Sequence, residues 1–430
     1  MTAESGSIVP TPEETPPPEA GTARPSALAL LQVFRHRNYR LFFTGQLVSL
    51  MGTWVTSVAQ GWLVYSMTHS PFLLGLVSFC GQVPVFFISS FGGMISDRVD
   101  RRKLLVVTQA LSMLQAAALA TLTLMGIIQV WHIVALALFK GFVNAFDVPT
   151  RQAFTIEMVG KSDLRNAISL NSVMFNLARI VGPTIAGILV ATVGEGLCFT
   201  IDAISYGAVL ISLIMMHVVP KPFRVHGHPW QELKAGFAYA WGNRQIRISL
   251  LLIAVCSAFG ASYIPMMPAF VRDVLNEGSR GLGFVLGAVG AGALCGAYAL
   301  ARIHDRHLTL TPLVSAASFG IGLILFANAH SLIAAMILVL PTAFSLMLLG
   351  GSTNTIIQTV SEDHMRGRVV SFYAMGFMGM MPWGSLLLGW LGSRIGVGQS
   401  VAFGGFICIL GAAVAYFDRS QHKTPSLVGS

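Results

Sequence analysis

Three groups of polar residues in this 430-residue chain have the types and spacing for ion or proton chemistry. The first lies in Gly93-Met94-Ile95-Ser96-Asp97-Arg98-Val99-Asp100-Arg101-Arg102-Lys103, where acids are nested among cations between two long apolar runs. Such a knot can form ion pairs that one conformation makes and another breaks. The second is Lys140, Asn144 and Asp147 at i, i+4 and i+7, which puts all three on one helical face. Ser172, Asn176 and Arg179 repeat that spacing, and Asp202 adds a further embedded acid. A row of cation, amide and acid in apolar surroundings can hold an anion or carry a proton. Two readings of Arg179 and Asp202 stand: a structural ion pair across neighbouring helices, or members of a substrate cavity at the membrane midplane. Two embedded cations against one deeply placed acid would make that cavity electropositive, which suits an anionic or catechol-bearing ligand.

The elements that position these groups must cross a bilayer. Charged residues are 10% of the chain and hydrophobic ones 54%, with a mean hydropathy of +0.69. That leaves too little polar surface for a soluble particle of this size, so lipid must cover the rest. Twelve apolar runs of spanning length are read at 39–66, 72–95, 104–128, 131–150, 166–193, 196–217, 248–271, 281–302, 309–328, 331–357, 368–393 and 398–417. A cation at mid-span costs roughly 2.5 to 3.5 kcal/mol on insertion scales, so Lys140 and Arg179 each need a pocket or a partner. The runs of the second half carry no mid-span charge. Their contribution to a cavity would come from Tyr263, Met378, Met380, Met381 and Trp383, with Asn354 as a polar handle.

The runs divide six and six. The expected domains are a disordered Pro-rich tail (1–30), an N-terminal six-helix half (31–217), a linker with a short surface helix (218–247), a C-terminal six-helix half (248–418) and a tail (419–430). The two tails and the even-numbered connections hold 22 of the 27 Lys and Arg. The positive-inside rule therefore puts both termini in the cytoplasm, and the formal charge of +9 needs no nucleic acid. The N-terminal tail has no apolar h-region, so the first span is expected to act as the insertion signal. The five cysteines lie apart within spans, suggesting neither disulfides nor a metal cluster, and no other cofactor is implied. All eleven histidines lie in loops, tails or span ends. No Walker A pattern exists, so ATP is not expected to drive the protein directly. No nucleophile, base and orienter assemble into an enzyme site.

An internal repeat at an offset of 201 aligns Val159 to Leu170 with Val360 to Ser371, and Ala301 to Arg306 echoes the Gly93 to Lys103 motif. The chain is identified over residues 32 to 418 as a member of the major facilitator superfamily. Gly93 to Lys103 resembles that superfamily's GxLaDRxGRRk signature between spans 2 and 3, departing at Ser96 and Asp100. Met67-Thr68-His69-Ser70 with Gly75-Leu76, and Ala145 to Ala153, resemble the branch of enterobactin exporters and macrolide efflux pumps. The resemblance implies an all-α membrane fold of twelve helices in two pseudo-symmetric halves, located in the bacterial inner membrane. It implies that Asp97 caps or contacts a helix end of the other half, with Arg98, Arg101 and Arg102 around it, and that Arg101 pairs with an acid at the inner end of span 4, for which Asp147 is the candidate. It also implies proton coupling, with Asp147 and Asp202 as the acids available, and a bendable span 5 at Gly182-Pro183.

The leading expectation is proton-coupled export of a small amphipathic molecule, siderophore-like or drug-like, by rocking of two halves. The substrate residues would be Lys140, Asn144, Ser172, Asn176, Arg179, Asn354 and Trp383. The partners would be that small molecule, protons and lipid, without nucleic acid or ATP. Uptake of a metabolite by the same fold is the alternative. A non-transporting sensor or scaffold is a third reading, and it gives no reason to embed Lys140 and Arg179.

Overall fold

The computed structural model describes residues 32–160, 163–216, 229–303 and 308–420, and every regular element among them is helical. The tail at 1–30, the linker stretch 218–228, the His304 to Arg306 part of the motif echo and residues 421–430 lie outside the described residues. The helices are α1 (Arg37–Thr68), α2 (Pro71–Ser96), α3 (Arg101–Leu124), α4 (Val130–Val159), α5 (Leu164–Met215), α6 (Pro229–Gly242), α7 (Arg244–Asp273), α8 (Ser279–Leu300), α9 (Thr311–Ala327), α10 (Leu332–Val360), α11 (Asp363–Ile395) and α12 (Val397–Ser420). A continuous helix of 52 residues such as α5 would run about 78 Å, more than twice the apolar thickness of a bilayer. It does not run straight. Gly194, at φ 80°, takes a conformation that L side chains resist and breaks α5 into two arms, 164–193 and 195–215.

Ten helices are long and apolar enough to cross a membrane, α9 is a shorter apolar helix, and α6 is the linker's surface helix. With α5 counted as two arms, the bundle has twelve crossings. Ile204, Ile211 and Ile214 of α5, Ile333 and Ile337 of α10 and Val414 of α12 point outward, as lipid-facing side chains do. Inside, α1 packs on α5, α2 on α4 and α3 on α5, while α8 packs on α10 and α9 on α10 and α12. These contacts define an N-terminal group (α1 to α5) and a C-terminal group (α7 to α12). The repeat segments occupy matching places: Val159 ends α4 and Val360 ends α10, each followed within a few residues by a new helix.

Span 4 differs from its sequence reading. It was expected to stop at 150, beside Pro149, but α4 continues through Pro149 to Val159. Proline removes the hydrogen bond to the carbonyl four residues back, Ala145. Neighbouring packing tolerates this, because Gly92 of α2 lies against that carbonyl so closely that an added Cβ would stand 2.2 Å from its oxygen. The helix therefore carries Arg151, Thr155 and Glu157 past Pro149, with Phe154, Met158 and Val159 buried among α1, α3 and α5.

The C-terminal group has a different irregularity. α7 and α11 each contain a π-helical segment, Cys256–Ala261 and Met375–Gly379. The two segments meet: the Ser257 hydroxyl donates to the Phe377 carbonyl, and the Ser262 hydroxyl donates to the Met381 carbonyl at 2.9 Å. A Cβ on Gly384 would stand 1.5 Å from the Ala258 carbonyl oxygen, so only glycine lets α11 come this close to α7.

Candidate transport site and coupling residues

The charged knot closes the turn between α2 and α3. Asp100 caps α3, accepting the backbone N–H groups of Arg102 at 2.9 Å and Lys103 at 3.2 Å, where the helix N-terminus favours an anion. Arg102 reaches the opposite kind of helix end, donating to the Leu213 carbonyl at 2.6 Å and the Ile214 carbonyl at 2.7 Å in the last turn of α5. Arg101 bridges two acids, Asp97 at 2.7 Å and Glu157 at 2.6 Å. Arg98 is exposed.

One expectation is corrected here, and the contact of Asp97 with the other half is not made in this conformation. Arg101 pairs with Glu157 and not with Asp147. About 15 Å of helix separates those two acids, and a span ending at 150 left Glu157 out of consideration. The helix-capping aspartate of the motif is Asp100, within its own half, whereas Asp97 accepts the Arg101 guanidinium and lies 59% exposed.

Asp147 is instead the centre of a closed network inside the N-terminal group. It is buried, pairs with Arg151 one turn on, and accepts from Gln109 at 2.7 Å and from Thr108 at 2.8 Å. Three donors from α3 and α4 hold this carboxylate in place. Asn144, one turn earlier on the same face, is half-buried.

Further along α4, Lys140 donates its ammonium to the Tyr206 hydroxyl at 2.5 Å and lies 4.5 Å from that ring's centroid. Tyr206 belongs to the second arm of α5, so the structure places Lys140 inside the N-terminal group and not among residues shared by the two groups. Asp202, one turn from Tyr206, is 2% exposed and lies against Gly52 of α1. It accepts from the Ser205 hydroxyl at 3.4 Å, and among the described residues no cation lies within 4 Å of it. The postulated Arg179 to Asp202 ion pair is therefore not formed.

Arg179 donates to Asn176 at 2.7 Å, and Asn176 in turn donates to the Ser172 carbonyl at 2.8 Å. Ser172 is exposed and donates to the Ile168 carbonyl of its own helix. The row expected on one face of span 5 thus forms a ladder ending in a guanidinium. Asn354 accepts from Gln358 at 3.2 Å, beside a recess of about 370 Å³ lined by Thr355, Gln358, Thr359 and Arg366. Trp383 packs edge-on against Phe79 of α2, with centroids 5.0 Å apart. Sequence reading assigned Trp383 to substrate, whereas its contact here is packing between the two groups.

Among the described residues the seam between the groups is one-sided. α2 meets α11 from Pro71 against Gly389 up to Phe86 against Gly379. The first arm of α5 meets α8 where Gly187 and Gly283 pack backbone to backbone and Gly290 lies against Arg179 and Ile180. Gly182 accommodates the Trp54 side chain, and the Pro183 carbonyl touches Gly283. Past Gly61 and Pro268, Tyr65 donates to Asp273 and the Arg272 guanidinium lies 6.0 Å from the Trp62 ring centroid. All these contacts lie between mid-bundle and the end remote from Asp97 to Lys103. The small residues of α8 serve two faces, Gly283 and Gly287 toward α5 and Gly292 and Gly296 toward α10. The Tyr65, Asp273 and Glu157 contacts had no local signal, since each depends on a partner more than 50 residues away in the chain.

Outside the spans, Asp163 accepts from His36 at 2.7 Å and from Arg35 at 2.7 Å, tying the start of α5 to the segment before α1. Those hydrogen bonds, the one from His36 foremost, hold its carboxyl below the usual carboxylate range.

Comparison with known proteins agrees with this architecture. A crystal structure of a bacterial homologue of the human lysosomal transporter Spinster, in an inward-facing, unoccupied conformation, superposes with a TM-score of 0.70 at 13% identity, covering 93% of this chain and 100% of that one. The staphyloferrin A transporter of Staphylococcus aureus is 27% identical over 389 residues, 89% of this chain and 97% of its own length. The multidrug efflux pump Tap of Mycolicibacterium fortuitum is 27% identical over 356 residues, covering 78% and 85%. The enterobactin exporter EntS of Shigella boydii is 25% identical over 383 residues, covering 88% and 90%. The family model described as transmembrane secretion effector matches residues 28–425, and the chain belongs to that family of major facilitator transporters, as an all-α multi-pass membrane protein and not an enzyme.

Proposed function

We propose that this transporter exports a small amphipathic molecule, siderophore-like or drug-like, from the cytoplasm in exchange for protons, by alternating access of its two helix groups. The observation that carries the mechanism is the one-sided seam. Contacts between the groups run from mid-bundle to the end remote from the charged knot, which leaves the knot's end as the open side. Lys and Arg crowd that end, so the positive-inside rule makes it cytoplasmic, with both termini inside and the chain in the bacterial inner membrane. The conformation is then inward-open. The opposite conformation would draw the cytoplasmic ends together and bring Asp97, here held by Arg101, against the other group as a latch. Gly182-Pro183 gives span 5 the bending that this rocking needs. Export is supported by the exporter and efflux names among the relatives.

Proton coupling is assigned to the N-terminal group. Asp147 is saturated by Arg151, Gln109 and Thr108, and it serves as the fixed charge. Asp202, buried without an ion-pair partner, is the exchangeable acid. One charge moving down a membrane potential releases about 2.3 kcal/mol per 100 mV, enough for a gradient on the order of 50-fold. The test is transport into inverted vesicles holding the purified protein. Accumulation should collapse with a protonophore and ignore ATP, and accumulation that survives the loss of every ion gradient would rule out coupling.

A further inference from the structure

Arg179 and Tyr263 stand in the seam from opposite sides. Arg179 belongs to the first arm of α5, and its carbonyl touches Gly290 of the other group. Tyr263 opens the last segment of α7, 1% exposed, with its ring set edge-on to Phe319 and Phe326 at 6.4 and 6.1 Å. The two side chains are electrostatic neighbours. Each also carries a buried polar atom without a hydrogen-bond partner, the guanidinium Nε–H of Arg179 and the hydroxyl of Tyr263. A buried donor left unmade costs about 1 to 3 kcal/mol, so two of them on neighbouring side chains from opposite helix groups, one on a cation, mark a site that a ligand completes.

We propose that Arg179 and Tyr263 form a carboxylate clamp that joins the two helix groups through the cargo. Asn176 already occupies one amino nitrogen of the guanidinium, which leaves the Nε–H for one carboxylate oxygen and the Tyr263 O–H for the other. A planar carboxylate matches a guanidinium fork better than a lone phenolate does. Charge sets the valence. Among the described residues no acid pairs with Arg179 and no second cation shares the site, because Lys140 is committed to Tyr206. One cation balances a monoanionic carboxylate and not a phosphate dianion. The rest of the ligand meets apolar surface, with the Trp54 side chain packed at Gly182 one turn along from Arg179. The inference rests on the transport reading only in calling this ligand cargo.

The test measures binding to the full-length protein in lipid nanodiscs by titration calorimetry, with phenylacetate as probe against neutral phenylacetamide, catechol and phenyl phosphate. Phenylacetate should bind saturably, and phenylacetamide should not. Arg179→Gln and Tyr263→Phe should each weaken phenylacetate about tenfold or more, as loss of a charge-assisted or buried hydrogen bond does, while Lys140→Met leaves it unchanged. Should Arg179→Gln fail to fold, as judged by its elution profile, Tyr263→Phe and Arg179→Lys decide the matter. No saturable phenylacetate binding up to its solubility, tighter binding of catechol or phenyl phosphate, or equal affinity in the folded variants would each overturn the clamp. Clamp binding without counterflow in vesicles would instead overturn the transport reading and leave the clamp standing.

Discussion

The two helix groups share a topology and differ in what they bury. The N-terminal group encloses Asp147, Arg151, Gln109, Lys140, Tyr206 and Asp202 between its spans, whereas the C-terminal group packs aromatic rings and glycines around two π-helical segments. Fixed charges in lipid are expensive unless each is answered by a partner, so the first group commits its helices to one arrangement. π-helical segments mark places where a helix has an extra residue per turn and can shift its register. On the proposed reading ion handling falls to the first group and adaptation to the second.

Breaking the ion network should have the largest effect. Arg151→Met strands Asp147 and should destabilise the protein by about 3 to 5 kcal/mol, with most of the loss recovered in the double variant that adds Asp147→Asn. Thermal melts of the purified variants read this directly, and a single variant melting like the parent would remove Asp147 from its structural role. Next is the glycine seam. Gly384→Ala forces a methyl onto the Ala258 carbonyl and should cost about 1 to 3 kcal/mol as overpacking; an unchanged melt would mean that the π segments yield freely.

Asp202→Asn separates stability from function, since the carboxylate has no ion-pair partner to strand. The melt should hold or rise slightly while substrate efflux ceases to respond to a pH gradient. Persistent pH-driven efflux would move the coupling proton elsewhere. Asp97→Asn touches only an exposed pair, typically worth less than 1 kcal/mol, so insertion and melting should be unaffected while the transport rate falls several-fold. Equal rates in vesicles would end the latch reading.

The smallest effect is a pH dependence at the edge of the N-terminal group. Because His36 and Arg35 lower the Asp163 carboxyl below its unfolded value, the stability it adds is fully present above the ordinary carboxylate range. It is lost as pH falls through the depressed folded value. The Asp163→Asn variant should therefore converge with the parent in melting temperature at acidic pH and fall below it near neutrality, and a constant difference across pH would refute the linkage.

Local signals carried much of this protein. Run length near 20 apolar residues and the basic connections pointed to twelve crossings in a six-and-six division, because the bilayer constrains each span independently of its neighbours, while the superfamily came from the resemblance carried by Gly93 to Lys103. The i, i+4, i+7 spacing likewise put Ser172, Asn176 and Arg179 on one face, where they form a hydrogen-bonded ladder. Partners were another matter. That Arg101 meets Glu157, that Lys140 turns to Tyr206 and that Asp202 stands without a cation were decided by how far α4 runs past Pro149 and how each helix is rotated about its own axis. Hydropathy is blind to both, because a proline can sit within a packed membrane helix, as Pro149 does, and rotation is set by close contacts between helices. The sequence alone determined that charges are embedded and at what depth, and only the tertiary packing determined which of them answer one another and which, like Arg179, keep a buried donor unmet.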